Sequence, residues 1–236
     1  MNDNLKKQIE LLYKHWFDNL NFCNKKNKPY KLSGGKLIWN KFIKRNIPEG
    51  WKVEKLTDLI KWESSYQPPK KDFIYSMKEG YVRFIQNRDY NSDGHKTYIP
   101  IKDNLTIVDK FDILMDKYGD AGRVRYGIEG AFNVALARIN VKDPALKEYI
   151  RSYFESKPIY NYLHNSCMAS TRASLSLNNL SSLMVMIPDK ETLNSYEIIL
   201  HNIRSIVLKN KEENEKLSEI KDFLLPLLMN GQATID

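Results

Sequence analysis

Base edges present fixed patterns of donors and acceptors, so reading them takes planar hydrogen-bonding side chains held on loops. Phosphates take cations and small hydroxyls. Four stretches of this 236-residue sequence gather such groups. Ser64-Ser65-Tyr66-Gln67-Pro68-Pro69-Lys70-Lys71 is stiffened by two prolines and ends in two lysines, Lys70 and Lys71. The run Gln86-Asn87-Arg88-Asp89-Tyr90-Asn91 packs amides, a guanidinium and a phenol into six residues, of which Gln86, Asn87, Arg88 and Tyr90 are candidate DNA contacts. Lys117-Tyr118-Gly119-Asp120-Ala121-Gly122-Arg123-Val124-Arg125 combines glycines that permit close backbone approach with the candidates Lys117, Tyr118, Arg123 and Arg125. Asn165-Ser166-Cys167-Met168-Ala169-Ser170-Thr171-Arg172 offers Ser170, Thr171 and Arg172. Taken singly, each stretch is also what an ordinary solvated loop looks like. Their presence in one region is what favours nucleic acid.

Catalytic chemistry finds no comparable set. There is no Asn/Asp-Pro-Pro-aromatic loop for adenine methylation, because Pro68-Pro69 stands between Gln67 and Lys70. The sequence has neither a glycine-rich sulfonium-cofactor turn nor a phosphate-binding nucleotide loop nor a nucleophile elbow. Pro188-Asp189-Lys190-Glu191 resembles a nuclease fragment, but no second carboxylate with a spaced lysine accompanies it, and chance explains it better. Cys23, Cys167 and four scattered histidines lack the spacing of metal ligands. We therefore expect no catalytic residue, no metal and no cofactor bound by this chain.

Charge points the same way as the loops. The formal net charge is +8. Residues 1–47 carry 11 Lys and Arg against 3 Asp and Glu, residues 48–190 carry 21 against 18, and residues 191–236 carry 5 against 8. The excess sits in the N-terminal arm, which suits a polyanionic partner. Two cysteines are too few for a disulfide framework, and no apolar run is long enough to span a bilayer, so we expect a cytoplasmic location. The first residues lack the apolar stretch of a secretory signal.

The elements that must carry the loops fall into three regions. Residues 1–46 comprise a helix over about 4–22 and a basic linker broken by Pro29 and Gly34-Gly35. Leu5, Ile9, Leu12, Trp16 and Leu20 recur on one face of that helix. Residues 47–190 read as one α+β domain. It has strands at Tyr81–Ile85, Ile113–Met115, Phe132–Ile139 and Leu183–Ile187, and a helix from Pro144 to Leu163. Residues 191–236 hold a helix from Glu191 to Met229, about 55–60 Å long at 1.5 Å per residue. Ile199, Ile203, Ile206, Asn210, Glu213, Leu217, Ile220, Leu224 and Leu227 follow a three-and-four spacing that asks for a partner helix, with Asn210 and Glu213 as polar interruptions. Together with Leu5, Ile9, Leu12 and Trp16, this seam is the expected coiled-coil surface for dimerisation.

Several motifs, in order, resemble the specificity subunit of type I restriction-modification systems. They are Ile47-Pro48-Glu49-Gly50-Trp51, Phe111-Asp112-Ile113-Leu114-Met115 with Tyr118-Gly119, and Ser174-Leu175-Ser176-Leu177-Asn178-Asn179-Leu180 leading to Met186-Ile187-Pro188. The ending Phe223-Leu224-Leu225-Pro226-Leu227-Leu228-Met229-Asn230-Gly231-Gln232 completes the set. Trp16-Phe17, Pro29-Tyr30-Lys31 and Ser33-Gly34-Gly35 resemble the central region between two recognition domains of such a subunit. The resemblance implies a half-length form with one target recognition domain, which reads one half of a bipartite site. It implies modification subunits as partners, which bind S-adenosylmethionine and methylate adenine at N6, and a restriction subunit that uses ATP and Mg. Pairing as a two-fold homodimer or with another half-subunit both stay open. So do two other classes: a stand-alone DNA-binding regulator, and an interaction protein that never meets DNA.

Overall fold

The computed structural model describes residues 1–91, 94–169 and 174–230. The chain begins with α1 (Asn2–Tyr13), which continues as a wider turn over Lys14–Asp18. A hairpin of β1 (Leu37–Asn40) and β2 (Arg45–Pro48) follows, then β3 (Lys52–Lys55), the one-turn helix α2 (Leu56–Leu59) and β4 (Ile60–Ser64). Next come β5 (Tyr81–Ile85), β6 (Tyr98–Pro100), β7 (Ile107–Val108), β8 (Ile113–Asp116), β9 (Val124–Arg125), β10 (Gly130–Phe132) and β11 (Leu136–Val141). The helices α3 (Lys147–Glu155) and α4 (Lys157–Met168) precede β12 (Met184–Ile187) and the long α5 (Lys190–Met229). This is the α+β architecture expected, with a helix at each end.

The strands make two four-stranded sheets, β6-β5-β10-β7 and β4-β11-β8-β9, and two pairs, β12-β3 and β1-β2. Sequence alternation predicts one strand over Phe132–Ile139, but the chain breaks there and changes sheets. Phe132 pairs with Ile85 in one sheet, and Leu136 pairs with Asp116 in the other. The side chain of Asn133 accepts from the amide of Ala135 at 3.2 Å and turns the chain. Because alternation resumes in phase after the turn, periodicity could not reveal it. The helix expected from Pro144 to Leu163 is likewise two. Ser156 leaves the helical region (ψ 135°) and caps α4, whose first turn holds Pro158, a residue without the amide a continuous helix needs.

The large core lies between the β4-β11-β8-β9 sheet and the helices. Phe17 is its aromatic centre, with ring centroids 4.6 Å from Tyr149, 4.8 Å from Tyr196 and 6.2 Å from Trp51. Ile9, Trp16 and Leu20 are buried here and Leu12 packs against the same cluster, while Leu5 is half-buried. The expectation that α1 offers Ile9, Leu12 and Trp16 to another chain is thus corrected: α1 packs on α3 and α5 of its own chain. An apolar stripe specifies that a face needs cover, and tertiary packing decides what covers it.

The same correction applies to half of α5. Its buried residues are Thr192, Leu193, Tyr196, Leu200, Arg204, Val207 and Leu208, whereas Ile199 and Ile206 are exposed and Ile203 only partly covered. The covered face is therefore rotated about one residue, roughly 100°, from the expected seam. Asn210 is half-buried and donates to Asn2 Oδ1 at 2.8 Å. Beyond it the side chains are exposed, including Leu217 (62%), Ile220 (52%) and Leu224 (40%); Leu227 is half-buried. The last 17 or so residues rise about 25 Å away from the globule's cover.

Two devices fasten α5. At its start, Asp189 caps the helix by accepting from the Thr192 amide at 2.9 Å, and its other oxygen takes the Trp51 indole N–H at 3.0 Å. Gly50, at φ +86°, makes the turn that aims Trp51 there. The nuclease-like Pro188-Asp189-Lys190-Glu191 is thus a helix cap. Burial pushes the Asp189 carboxyl up, but the hydrogen bonds from Thr192 and Trp51 outweigh it and hold the group below its ordinary range. Midway, Arg204 is buried and pairs with Glu148 and, at 2.7 Å, with Glu155; Arg151 reaches Glu148 at 3.2 Å. The guanidiniums of Arg151 and Arg204 lie 5.0 and 4.9 Å from the Tyr126 ring.

Removing one partner of a buried pair leaves an uncompensated charge. We expect Arg204→Ala to lose on the order of 3–5 kcal/mol in urea unfolding. Lys110→Ala, which breaks the exposed pair with Glu212, should lose under about 1 kcal/mol. Asp189→Ala should lose about 0.5–2 kcal/mol. A depressed carboxyl stabilises above its unfolded pKa, so that difference should be full above about pH 4 and shrink below it as Asp189 protonates.

Candidate nucleic-acid interface

Strand register brings loop ends together. Ser64 at the end of β4 pairs with Ala137, Asp116 at the end of β8 pairs with Leu136, and Ile85 at the end of β5 pairs with Phe132. The segments that follow Ser64, Ile85 and Asp116 therefore leave from the same edge as the 133–135 turn between the sheets. The Lys117 amide donates to Ala135 O at 2.8 Å, and the Leu175 amide donates to Lys117 O at 2.9 Å, which returns the chain after α4 to this place.

The segment after β5 is a tight turn. Asp89 Oδ2 accepts from the Gln86 amide at 3.0 Å and the Gln86 side chain caps the turn in return. Thr97, fully buried just before β6, accepts from Gln86 Nε2 at 3.3 Å and from Arg88 Nη2 at 3.4 Å. Arg88 Nε also lies 3.6 Å from Asp89. Gln86 and Arg88 are therefore oriented from beneath rather than free to sweep through solvent.

The segment after β8 is built around two glycines in the left-handed region, Gly119 (φ +69°) and Gly122 (φ +90°). A Cβ at Gly122 would stand 2.8 Å from Leu163 Cβ, so the loop rests on α4. Tyr118 is exposed, and Lys117 Nζ lies 5.8 Å from its ring. Arg123 is exposed and bonds Asp120 Oδ2 at 2.7 Å; Asp120 Oδ1 takes the hydroxyl of Tyr160 from α4.

Arg125 is different. Its Nε and Nη2 both reach Asp116 Oδ2, at 3.1 and 2.8 Å, with only 12% of the side chain exposed. Its guanidinium lies 5.4 Å from the Tyr90 ring. Burial dominates at Asp116, pushing its carboxyl up despite Arg125, and burial likewise raises the Tyr90 phenol. Arg125 and Tyr90 thus brace two loops against each other from below; the geometry does not hold them out to a ligand.

Lys70 and Lys71 stand apart. They are exposed in a short turn whose Asp72 pairs with Lys102 at 3.0 Å, and Ile74 bridges to Tyr98. Gln86 meets Thr97, just before β6, whereas Lys102 follows β6, five residues further on or about 16 Å at 3.3 Å per residue of extended chain. The structure therefore brings together the 86–91 and 117–125 stretches and leaves the lysine pair at the other end. In the fourth stretch Asn165 and Ser166 are helical, while Ser170, Thr171 and Arg172 lie outside the described residues.

Sequence reading missed Thr97, Asp116, Asp120 and Tyr160 as supports. The Asp120–Arg123 spacing of three was a readable signal for an ion pair. Tyr160 lies 40 residues from Asp120 and gave none. Among the described residues no group of three or more His, Cys, Asp or Glu could hold a metal ion, and no helix is long and apolar enough to cross a membrane.

The brace predicts its own failure. Arg125→Met should leave the Asp116 carboxyl buried without its partner and lose on the order of 3 kcal/mol in thermal or urea unfolding. Amide hydrogen exchange should quicken in Asn87–Asn91 as well as in 117–123, because Arg125 touches both loops.

Residues 48–222 match the family described as the type I restriction modification DNA specificity domain. Over 99% of this chain, the sequence is 22% identical to the specificity subunit of the type I restriction enzyme MjaIX of Methanocaldococcus jannaschii, 56% of which is covered. It is 27% identical to the HindI specificity subunit of Haemophilus influenzae over 79% of this chain and 42% of that one. In fold it is similar to the type I restriction-modification S subunit of M. genitalium, with a TM-score of 0.58 at 14% identity over 95% of this chain and 55% of that one. The HsdS subunit of Thermoanaerobacter tengcongensis gives a TM-score of 0.51 at 13% identity, with 96% and 51% covered. The chain spans about half the length of these relatives. By the match over residues 48–222, it belongs to the type I restriction-modification DNA specificity family.

Proposed function

We propose that this chain reads DNA sequence for a type I restriction-modification complex and catalyses no step itself. The observation that carries the reading is the meeting of the Gln86–Asn91 turn and the 117–123 loop at one edge of the two sheets, where Leu175 also joins Lys117. A single edge presenting amide, guanidinium, ammonium and phenol groups suits one groove segment of a duplex. Of the candidates, Gln86, Asn87, Arg88, Lys117, Tyr118 and Arg123 belong to this face, and Lys70 and Lys71 suit phosphates farther along.

In this reading the chemistry belongs to partner chains. Modification subunits bind S-adenosylmethionine and methylate a flipped adenine at N6, and a restriction subunit works with ATP and Mg. The exposed stripe Leu217, Ile220 and Leu224 on the distal half of α5 is the surface for pairing with a second copy. A two-fold pair of half-length chains presents two identical recognition faces, so the target is bipartite and palindromic.

Mapping N6-methyladenine in DNA from cells that express this chain with its modification subunit tests this. We expect one interrupted palindromic motif. A continuous or asymmetric motif would remove the homodimer. Methylation that ignores sequence would remove the recognition role itself.

A further inference from the structure

We propose that Arg123 reads a guanine in the target half-site, with Asp120 and Tyr160 as the positioning residues that aim its guanidinium. The inference rests on the DNA-reading role above and names the base and the residue that reads it.

The argument starts from the difference between Arg123 and its neighbouring cations. Arg125 is sunk against Asp116, and Lys117 is a flexible point charge. Arg123 is exposed yet tethered, because Asp120 holds it through Nη1 alone at 2.7 Å. Among the described residues no other group takes a hydrogen bond from it. A guanidinium fixed at one nitrogen keeps its remaining donors in one plane and one direction. That is what bidentate contact with guanine O6 and N7 requires.

The tether is itself held. Asp120 Oδ1 accepts from the Tyr160 hydroxyl on α4, and Arg125 Nη2 stands 4.0 Å from Oδ2. The loop backbone is fixed by Arg123 N donating to Asp120 O at 3.0 Å and Gly122 N donating to Asp116 O at 2.9 Å. Burial pushes the Asp120 carboxyl up, but the bonds from Tyr160 and Arg123 outweigh it, so the group is a carboxylate at neutral pH.

Charge then decides between base and backbone. An arginine paired with a carboxylate is close to neutral at a distance, so it attracts phosphates weakly and releases few counterions on binding. Its remaining N–H donors are undiminished. Pairing thus lowers the value of Arg123 as a phosphate clamp and raises its value as a base reader. The lysines at 70, 71 and 117 suit the opposite role.

The test uses the full chain with its modification subunit and duplexes carrying the mapped motif, with binding measured at several salt concentrations. At each guanine of the half-site, one duplex replaces it with 7-deazaguanine and others with the remaining bases. Wild type should lose about 5- to 100-fold at one guanine, the range of a good bidentate contact. Arg123→Ala should bind every duplex alike at that position and keep discrimination elsewhere. Asp120→Asn and Tyr160→Phe should relax the same position partially; the salt slope should stay unchanged for Tyr160→Phe and steepen for Asp120→Asn, which unmasks the charge of Arg123. A merely structural role would lower the melting temperature and affinity for all duplexes together, and that result overturns the proposal. So does a uniform loss for Arg123→Ala with a salt slope reduced by about one, the mark of a phosphate contact. A half-site without guanine overturns it too, whereas a wild-type complex with no sequence preference overturns both this and the DNA-reading role.

Discussion

The fold depends on the burial of Arg204 against α3. A guanidinium removed from water is tolerable only if carboxylates meet it, and Glu148 and Glu155 do so from one face of a single helix. Arg204 lies near the middle of α5, so this pairing ties the long helix to the domain at a point, and Val207 and Leu208 continue the contact on the same face. The pair also draws in Arg151 and, through the Tyr126 ring, the chain just after β9. Tyr126 directly follows Arg125, whose carboxylate partner Asp116 ends β8. One buried ionic cluster thus lies next in sequence to the brace beneath the loops after β5 and β8.

The electrostatics of the domain follow a consistent plan. The excess positive charge lies in residues 1–47, where 11 Lys and Arg face 3 acids. In the loops after β5 and β8 the arginines each have a carboxylate within reach: Arg88 beside Asp89, Arg123 on Asp120, Arg125 on Asp116. Unpaired and paired cations are thus concentrated in different parts of the chain. A loop whose cations are already paired loses less side-chain freedom when it meets a ligand, because that freedom was given up on folding.

The distal half of α5 shows the limit of one chain's packing. Up to Asn210 the helix is covered by α1, α3 and the loop around Gly127; among the described residues the side chains from Glu212 to Pro226 are exposed. Leu217, Ile220 and Leu224 keep the expected three-and-four register, from which the covered face of the first half is rotated. Exposed apolar residues at that spacing along a helix are costly in water and suit a second helix. The chain covers about half of its relatives' length.

Much of this was legible from the amino acids alone. Apolar periodicity set the helix at each end, the strands Tyr81–Ile85 and Ile113–Asp116, and the start of α5 to within a residue, because period and capping are local properties. Residue chemistry pointed to the loops, since clustered amides and guanidiniums need no fold to be recognised. What lay beyond the sequence was anything set by a distant contact. The break at Asn133 preserved the alternation, the break at Ser156 preserved the apolar face, and the covered face of α5 was chosen by Glu148 and Glu155 some fifty residues away. For the same reason only the tertiary structure could show that Lys70 and Lys71 lie apart from the other loops, that Ile9 and Trp16 belong to the chain's own core, and that Tyr160 holds Asp120. Local sequence determines which elements form and which side chains want company; burial, a property of the whole chain, decides which company they get.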